Sequence, residues 1–279
     1  MPVSSLRFSS VLAFAVLLAG TSTASAQTRV AIRPTPKPGQ VIQVVAEQQI
    51  LLRTGEKAEE PGPAYMLNKN VLAYTQINGT FDKEGRLEAQ VTVDRLELDE
   101  SFGGRQRQVP DTTSLKGRIL AVTFDRTGKL LGIKVPPDID NNMSRRLTQL
   151  LAGAYGMLNF LPAVELTVGE ETKTTTELPM RLPGSVAKGP VEAAVNLTLR
   201  SVEKKGNDRI AHMQQRIDVA TATTDVKISG GGTIDVNLDG GFVSATDTEW
   251  IFSGVIPATT GGAQPPPFYG SIKINVTAN

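Results

Sequence analysis

Cysteine is absent from this chain of 279 residues, which contains one histidine and one tryptophan. The lack of cysteine excludes disulfides and thiol nucleophiles, and the single histidine further excludes a zinc site built from Cys and His ligands. The histidine, His212, lies on the polar side of an alternating segment, where we expect a solvated surface side chain. We therefore predict no catalytic residue, no cofactor and a protein that is not an enzyme. A carboxylate-dependent hydrolase is the less favoured alternative, because paired Asp and Glu residues need no local spacing.

An excess of charge of either sign is also absent, since 29 Lys and Arg residues are balanced by 28 Asp and Glu residues. Proteins that bind mainly nucleic acid or anionic lipid carry a basic excess, because phosphate contacts dominate their affinity. The composition therefore predicts that nucleic acid is not a partner.

The first 26 residues have the pattern of a secretory signal peptide. Arg7 precedes a short apolar run at 11–19, and Ala24-Ser25-Ala26 matches the A-x-A cleavage pattern. The run is shorter than the ~20 apolar residues of a membrane span. We expect a soluble protein exported to the periplasm or the extracellular space, with no membrane span after cleavage. Residues 27–40 contain three prolines and are predicted to form a flexible leader.

Most of the remaining chain alternates between apolar and polar residues, which is typical of strands with one packed and one wet face. In the segment 41–52 the apolar phase comprises Ile42, Val44, Ala46, Ile50 and Leu52, and in the segment 211–219 it comprises Ala211, Met213, Ile217 and Val219. We predict one mainly β domain over residues 41–279, in the form of a curved antiparallel sheet or open barrel. One principal α-helix, at about 141–158, is expected to pack against it.

Three predicted hairpins share one turn pattern. Residues 80–87 and 123–130 match almost position for position around an Asp-x-x-Gly turn, and residues 238–242 give a looser third copy. This similarity leaves open whether the domain consists of two related halves around the helix. In the strand after the first turn the apolar phase slips by one residue, so we expect a β-bulge near Asp94-Arg95.

The helix is the candidate binding element, because its apolar residues recur at steps of three and four. Gly153 and Gly156 weaken it and allow another element to approach closely. Arg145 and Arg146 are expected to form a polar rim. The predicted ligand-binding residues are Met143, Leu147, Leu150, Leu151, Ala154, Tyr155 and Leu158, with Arg145 and Arg146.

A calcium loop is the one metal site that the sequence resembles. Asp235, Asn237 and Asp239 follow the spacing D-x-N-x-D-G, which brings alternate oxygens to one ion. Thr246 occupies the twelfth position, where a bidentate Glu completes such loops. The same residues also suit the wet face of a strand, so both interpretations stay open.

The chain resembles uncharacterised secreted β-rich bacterial proteins that carry a Phe-Asp-x-x-Gly-x-Leu hairpin, a helix, and a Leu-Pro…Val-Gly-Glu segment. Those features correspond here to residues 124–130, 143–158 and 161–170. The order of elements is more distantly similar to the periplasmic lipoprotein-carrier fold, a curved sheet with helices against its concave face.

The leading hypothesis is an extracytoplasmic binding or carrier module that holds an apolar small molecule, or an apolar peptide of an envelope protein, between the sheet and the helix. The alternative is a structural or assembly protein of the cell envelope, in which the helix only completes the core.

Overall fold

The structure, a computed structural model, describes residues 29–54, 64–158, 161, 163–178, 191–220, 227–254 and 267–279. The predicted signal peptide, residues 1–26, lies outside the described residues. One α-helix and a short 3₁₀ helix, Thr113–Leu115, accompany the strands. The elements are β1 (Arg29–Ile32), β2 (Val41–Thr54), β3 (Ala64–Phe81), β4 (Leu87–Phe102), β5 (Arg105–Gln106), β6 (Ile119–Phe124), β7 (Leu130–Lys134), α1 (Asn141–Leu158), β8 (Val164–Thr167), β9 (Glu171–Leu178), β10 (Val191–Lys205), β11 (Asp208–Ala220), β12 (Lys227–Asn237), β13 (Phe242–Gly254) and β14 (Phe268–Ala278).

Twelve strands form one curved antiparallel sheet in the order β7-β6-β4-β3-β2-β14-β13-β12-β11-β10-β9, with β5 beside β4. The edge strands β7 and β9 do not pair with each other, so the sheet is open. β1 and β8 form a separate two-stranded ribbon. The predicted fold class, a curved antiparallel sheet with one principal helix, is confirmed, and the helix has the predicted bounds.

Asp140 fixes the start of α1. Its Oδ1 accepts hydrogen bonds from the backbone N–H groups of Asn142 and Met143 at 2.8 and 3.2 Å. The N-terminal N–H groups of a helix have no partners within the helix, so a capping carboxylate stabilises the first turn. Asp140 is thus a local reason for the helix to begin at Asn141.

The two matching hairpins use their turn residues in the same way. Gly85 and Gly128 have φ values of +76° and +83°, a region that glycine adopts without strain. Asp125 Oδ1 accepts from the backbone N–H groups of Thr127 and Lys129 at 2.8 and 3.0 Å. Partial burial raises the pKa of the Asp125 carboxyl, but a hydrogen bond from the Thr127 hydroxyl and these two backbone hydrogen bonds outweigh it and leave the pKa below its usual value.

The predicted β-bulge is confirmed at Asp94. Tyr74 pairs with Val93 and Ala73 pairs with Arg95, so Asp94 is the extra residue in β4. The bulge changes the parity of the inward-facing positions of β4, since Val93 and Leu96 are both buried. Residues 98 and 100 therefore face the same side of the sheet as residues 91 and 93.

Glycines on β12 allow close contact with the neighbouring strands. A Cβ atom on Gly230 or Gly232 would lie 2.2 and 1.9 Å from backbone oxygens of β13, and one on Gly231 would lie 2.3 Å from the Gln215 oxygen of β11. No other residue type fits such positions without moving the backbone. The glycine triplet thus marks a place where the backbones of β11 and β13 approach β12 too closely for a side chain.

Part of the predicted leader is held against the domain. Strand β1 pairs with β8, and Ile32 is completely buried. Further along, the Thr35 N–H donates to the Gly241 oxygen at 2.7 Å. A four-residue strand beside three prolines offers too short an alternation to be recognised in the sequence. Residues from both halves of the chain and from α1 share one hydrophobic core.

Candidate functional site

The predicted ligand-binding face of α1 lies mainly in the core. Five of its side chains are at most 4% exposed, and they pack against the inner face of the sheet: Met143, Leu147, Leu151, Ala154 and Tyr155. Leu150 is half-buried, Arg145 is exposed, and the side chain of Leu158 lies outside the described residues. One face of α1 therefore completes the core, and the flank of the helix next to that face remains outside the core.

A cleft of about 810 Å³ lies along that flank, between α1 and strands β2, β3 and β4. The floor of the cleft consists of two rows of side chains, because residues paired across antiparallel strands point to the same face. One row is Gln48, Asn70 and Leu98, and the other is Ile50, Asn68 and Glu100. The helix wall consists of Arg146, Thr148, Gln149, Leu150, Ala152 and Gly153.

The cleft contains one ion pair, formed by Arg146 and Glu100. The Arg146 guanidinium donates to both carboxylate oxygens of Glu100, with an Nη2–Oε2 distance of 3.3 Å. The Glu100 side chain is only 14% exposed and that of Arg146 is 34% exposed. The bulge at Asp94 makes this pair possible, since it turns residue 100 to the inner face. Of the two predicted rim arginines, Arg146 lines the cleft and Arg145 does not.

Tyr155 ties the far end of α1 to the sheet through a buried polar chain. Its hydroxyl donates to Gln76 Oε1 at 2.8 Å, Gln76 Nε2 donates to Asn78 Oδ1 at 2.6 Å, and Asn78 Nδ2 donates to the Lys37 oxygen at 3.0 Å. The ring also packs edge-on against Phe124, with 5.0 Å between centroids. Burial raises the pKa of the Tyr155 phenol well above its usual value, so the hydroxyl keeps its proton for donation.

A separate, smaller cavity of about 20 Å³ lies next to the cleft and shares part of its lining. It is bounded by Gln48 and Asn70 on the cleft side, by Ile274 on β14, and by Gly153 and Ala154 of α1. Gly153 has no side chain to close it, and a Cβ there would still lie 3.9 Å from Gln48 Nε2.

The three residues of the predicted calcium loop have partners within the chain. Asp239 accepts from the backbone N–H and the guanidinium of Arg209, which holds the pKa of the Asp239 carboxyl below its usual value. Asn237 Nδ2 donates to Asp208 Oδ2 at 2.9 Å. Asp235 Oδ1 lies 2.8 Å from Nδ1 of the half-buried His212. In the described part of the chain no three His, Cys, Asp or Glu residues stand close enough to hold a metal ion.

Sequence reasoning missed the amides that line the cleft. Gln48 interrupts the apolar phase of β2 between Ala46 and Ile50, and Asn68 and Asn70 precede the buried Leu72 in the phase of β3. The sequence feature that marks these amides is a polar residue at an inward-facing position of a strand. It could not reveal the cleft, because the opposing wall comes from a helix distant in sequence.

Comparison with known proteins identifies no family for this chain, and the solved structures that it resembles are only distantly similar. No family model and no curated protein matches the chain. Lipovitellin, in a structure described for its lipid–protein interactions, superposes on 87% of this chain with a TM-score of 0.49 and 7% identity. This chain spans only 25% of the lipovitellin chain.

Two further solved structures show weaker similarity. DynF from the dynemicin biosynthesis pathway of Micromonospora chersina has a TM-score of 0.21 and 8% identity over 91% of this chain and 86% of its own. An outer membrane channel from Pseudomonas putida F1 has a TM-score of 0.18 and 12% identity over 89% of this chain and 98% of its own. Within the described residues, no helix has the length and apolarity required to cross a membrane.

Proposed function

We propose that the chain is a non-enzymatic binding or carrier module that acts outside the cytoplasm and holds an apolar ligand, or an apolar peptide, in the cleft beside α1. The cleft itself carries the proposal. Its volume of about 810 Å³ falls in the range of small-molecule sites, roughly 300–1,000 Å³. The extracytoplasmic location rests on the signal-peptide pattern of residues 1–26.

The lining matches a ligand with an apolar body and polar ends. Ile50, Leu98 and Leu150 supply aliphatic contact from three different elements. Asparagine and glutamine side chains stand between them, and each can donate and accept hydrogen bonds. Binding beside the helix does not require α1 to leave the core, so its buried face and a ligand site are compatible.

The chemistry of the cleft favours binding over catalysis. Glu100 is the one carboxylate among the described residues that line it, and Arg146 pairs with it. Hydrolysis by carboxylates needs two such groups on opposite sides of the scissile bond. The lining therefore offers no general acid–base pair.

The alternative, a structural or assembly protein, is favoured by one observation. Leu147 and Leu151 are completely buried, so the apolar face of α1 already has a structural role. A binding protein requires the cleft for its ligand, whereas a protein whose helix only completes the core does not require it.

A matched pair of tryptophan substitutions tests the proposal. Ala152→Trp would fill the cleft, whereas Asn142→Trp adds the same side chain at an exposed position of the same helix. We expect the wild type to bind the hydrophobic fluorophore 1-N-phenylnaphthylamine saturably, Asn142→Trp to match it, and Ala152→Trp to lose binding. Non-saturable binding by the folded wild type, or equal binding by Ala152→Trp, would leave only the structural alternative.

The same protein purified from its own host gives two further readings. Native mass spectrometry should show a bound mass that denaturation releases. The denatured mass should correspond to a chain that begins at Gln27, because the signal peptide is removed on export. A chain that retains residues 1–26 in the exported fraction would contradict the proposed cleavage.

A further inference from the structure

Four carboxamide side chains face the cleft beside α1 without a hydrogen-bond partner. Gln48 on β2 and Asn68 and Asn70 on β3 belong to the floor, and Gln149 belongs to the helix wall. Within the described part of the chain, no residue forms a hydrogen bond with any of these four side chains. The three floor residues are half-buried and their amide atoms are not enclosed, and Gln149 is exposed. A ligand in the cleft can therefore reach all four.

Helix α1 crosses three strands along the length of the cleft. Arg146 at one end pairs with Glu100 on β4, and at the other end a Cβ atom on Gly153 would lie 3.9 Å from Nε2 of Gln48 on β2. From residue 146 to residue 153 the helix rises ~10 Å, and the two strand spacings from β4 to β2 cover about the same distance. An extended polypeptide advances ~3.3 Å per residue, so the cleft has the length of about three peptide residues.

The carboxamides match the hydrogen-bonding groups of a peptide backbone. Each peptide unit other than proline brings one N–H donor and one C=O acceptor, and a carboxamide carries a donor and an acceptor side by side. Three of the four are neighbours in the floor, because Asn70 pairs with Gln48 across the strands and follows Asn68 by two positions on β3. Together with Gln149 on the opposite wall, they can satisfy the backbone of a segment of this length.

A plain hydrocarbon chain suits these amides poorly. It would displace water from their polar atoms and return no hydrogen bond, which costs free energy for each group left unpaired. The aliphatic side chains of Ile50, Leu98 and Leu150 in turn offer no matching contact to a wholly polar ligand such as a sugar. An apolar peptide has both features, since its backbone is polar and its side chains are not.

The charges of the cleft favour uncharged ligand side chains. Glu100 and Arg146 are the charged residues among those described in the lining, and they pair with each other through both carboxylate oxygens. A charged group of the ligand would have to compete with this ion pair for a countercharge. An apolar or neutral side chain leaves the pair intact.

We propose that the cleft binds an extended apolar segment of another polypeptide, and that Gln48, Asn68, Asn70 and Gln149 recognise about three residues of its backbone. This inference rests on the proposed binding function and specifies the ligand as a peptide. Recognition of the backbone makes the site tolerant of sequence, because every apolar segment offers the same N–H and C=O groups.

A peptide and its ester analogue test the role of the backbone. The peptide is acetyl-Lys-Leu-Val-Leu-Lys-amide, whose flanking lysines keep it soluble, and the analogue has an ester oxygen in place of the valine N–H. We expect the wild type to bind the peptide saturably in isothermal titration calorimetry. The analogue should bind about fivefold more weakly, because it keeps the side chains but lacks one hydrogen-bond donor. This comparison uses only the wild-type protein, so it does not depend on the folding of any variant.

Two substitutions of similar volume test the carboxamides. Asn68→Leu and Asn70→Leu should each bind the peptide about fivefold more weakly. Each should bind 1-N-phenylnaphthylamine more tightly, because the floor becomes more apolar. The melting temperature should not fall, since neither amide has a partner to lose within the described residues. Gln49→Leu is the control, because Gln49 is exposed on the outer face of β2 beside Gln48.

The outcomes distinguish this inference from the proposed function. Suppose that Ala152→Trp abolishes fluorophore binding, but the wild type binds no peptide, or binds the ester analogue equally well. The cleft function then stands and the peptide inference is overturned. A monoacylglycerol that binds the wild type, and binds both leucine variants more tightly, would also overturn it and assign the cleft to a lipid. Equal binding of the peptide by Ala152→Trp would place the peptide elsewhere and contradict the inference. If Ala152→Trp binds the fluorophore as the wild type does, both proposals fail.

Discussion

Tyr155 connects the helix, the sheet and the segment before β2 at a single position. Its ring contacts Tyr74 and Phe124, with centroid distances of 5.6 and 5.0 Å, and its hydroxyl begins the chain of hydrogen bonds through Gln76 and Asn78. Buried polar networks stabilise a fold only when every member is satisfied. Loss of the Tyr155 hydroxyl would therefore leave another buried member of the network without its partner, in addition to removing one hydrogen bond.

Tyr155→Phe isolates that hydroxyl, because the ring contacts remain. Gln76 is only 5% exposed, and its Oε1 would lose the donor that satisfies it. We expect the free energy of unfolding to fall by about 1–3 kcal/mol, the cost of a buried acceptor without a partner. Urea denaturation of both proteins measures the difference. Tyr269→Phe, at a half-buried position of β14, is the control; equal losses in the two variants would show that the network has no special role.

Individual residues also show how much of the site and of the fold can be predicted from the sequence. Gln48 and Gln215 both occupy apolar phases of alternating strands, so the sequence marks them as exceptions. What the sequence lacks is their relation, since Gln48 and Gln215 lie in one register row only after β14, β13 and β12 have been placed between them. Alternation predicts the face of a residue and says nothing about which distant strand lies beside it.

Strand β12 depends on glycine for its contacts with both neighbours. Gly232→Ala would place a Cβ atom 1.9 Å from the Asp247 oxygen, which is backbone and cannot rotate away. Overpacking of this kind costs about 1–3 kcal/mol, so the melting temperature should fall. Gly132→Ala in the edge strand β7 is the control, because no atom lies within 4 Å of its Cβ position. A Gly232→Ala protein as stable as Gly132→Ala would contradict the close contact.

Helix α1 has a core face and a cleft face, and adjacent leucines distinguish them. Leu151 is completely buried, so Leu151→Ala should lower the free energy of unfolding by about 2–5 kcal/mol through lost burial and a new cavity. Leu150 lines the cleft and is half-buried, so Leu150→Ala should cost clearly less and weaken ligand binding instead. Denaturant unfolding and fluorophore titration of both variants measure the two effects, and similar stability losses would contradict the division.

Local signals account for the elements that the sequence predicts well. The helix follows from its three- and four-residue apolar steps, and the bulge follows from the phase slip at Asp94. The pairing of β1 with β8 and the cleft have no local signal. Both depend on contacts between segments far apart in the chain. A single sequence contains no recognisable pattern for such contacts.

The whole sheet consists of two meanders that meet at one pair of strands. Strands β2 to β7 pair mostly with their neighbours in sequence, and so do β9 to β14. The junction is β2 with β14, where Val44 pairs with Ala278 and Thr54 with Phe268. Because local pairings form before those that close a long loop, we expect this junction to form last during folding.

Two isoleucines in similar surroundings test the order of folding. Ile272 lies at the junction on β14, and Ile234 lies within the second meander on β12; they are 7% and 2% exposed. Ile272→Ala should mainly accelerate unfolding, whereas Ile234→Ala should also slow folding, because its contacts belong to the earlier structure. Stopped-flow folding and unfolding rates across urea concentrations measure both. Slower folding in Ile272→Ala alone would reverse the proposed order.

The separation of β2 from β14 also matters while the protein is being made. Roughly 200 residues lie between the two strands, which at 5–20 residues per second takes about 10–40 s to synthesise. Throughout that time β2 can pair with β3, but its other edge has open N–H and C=O groups that could recruit a strand from another molecule. We therefore expect the nascent chain to be most prone to pairing with other molecules at this edge of β2, until β14 arrives to cover it.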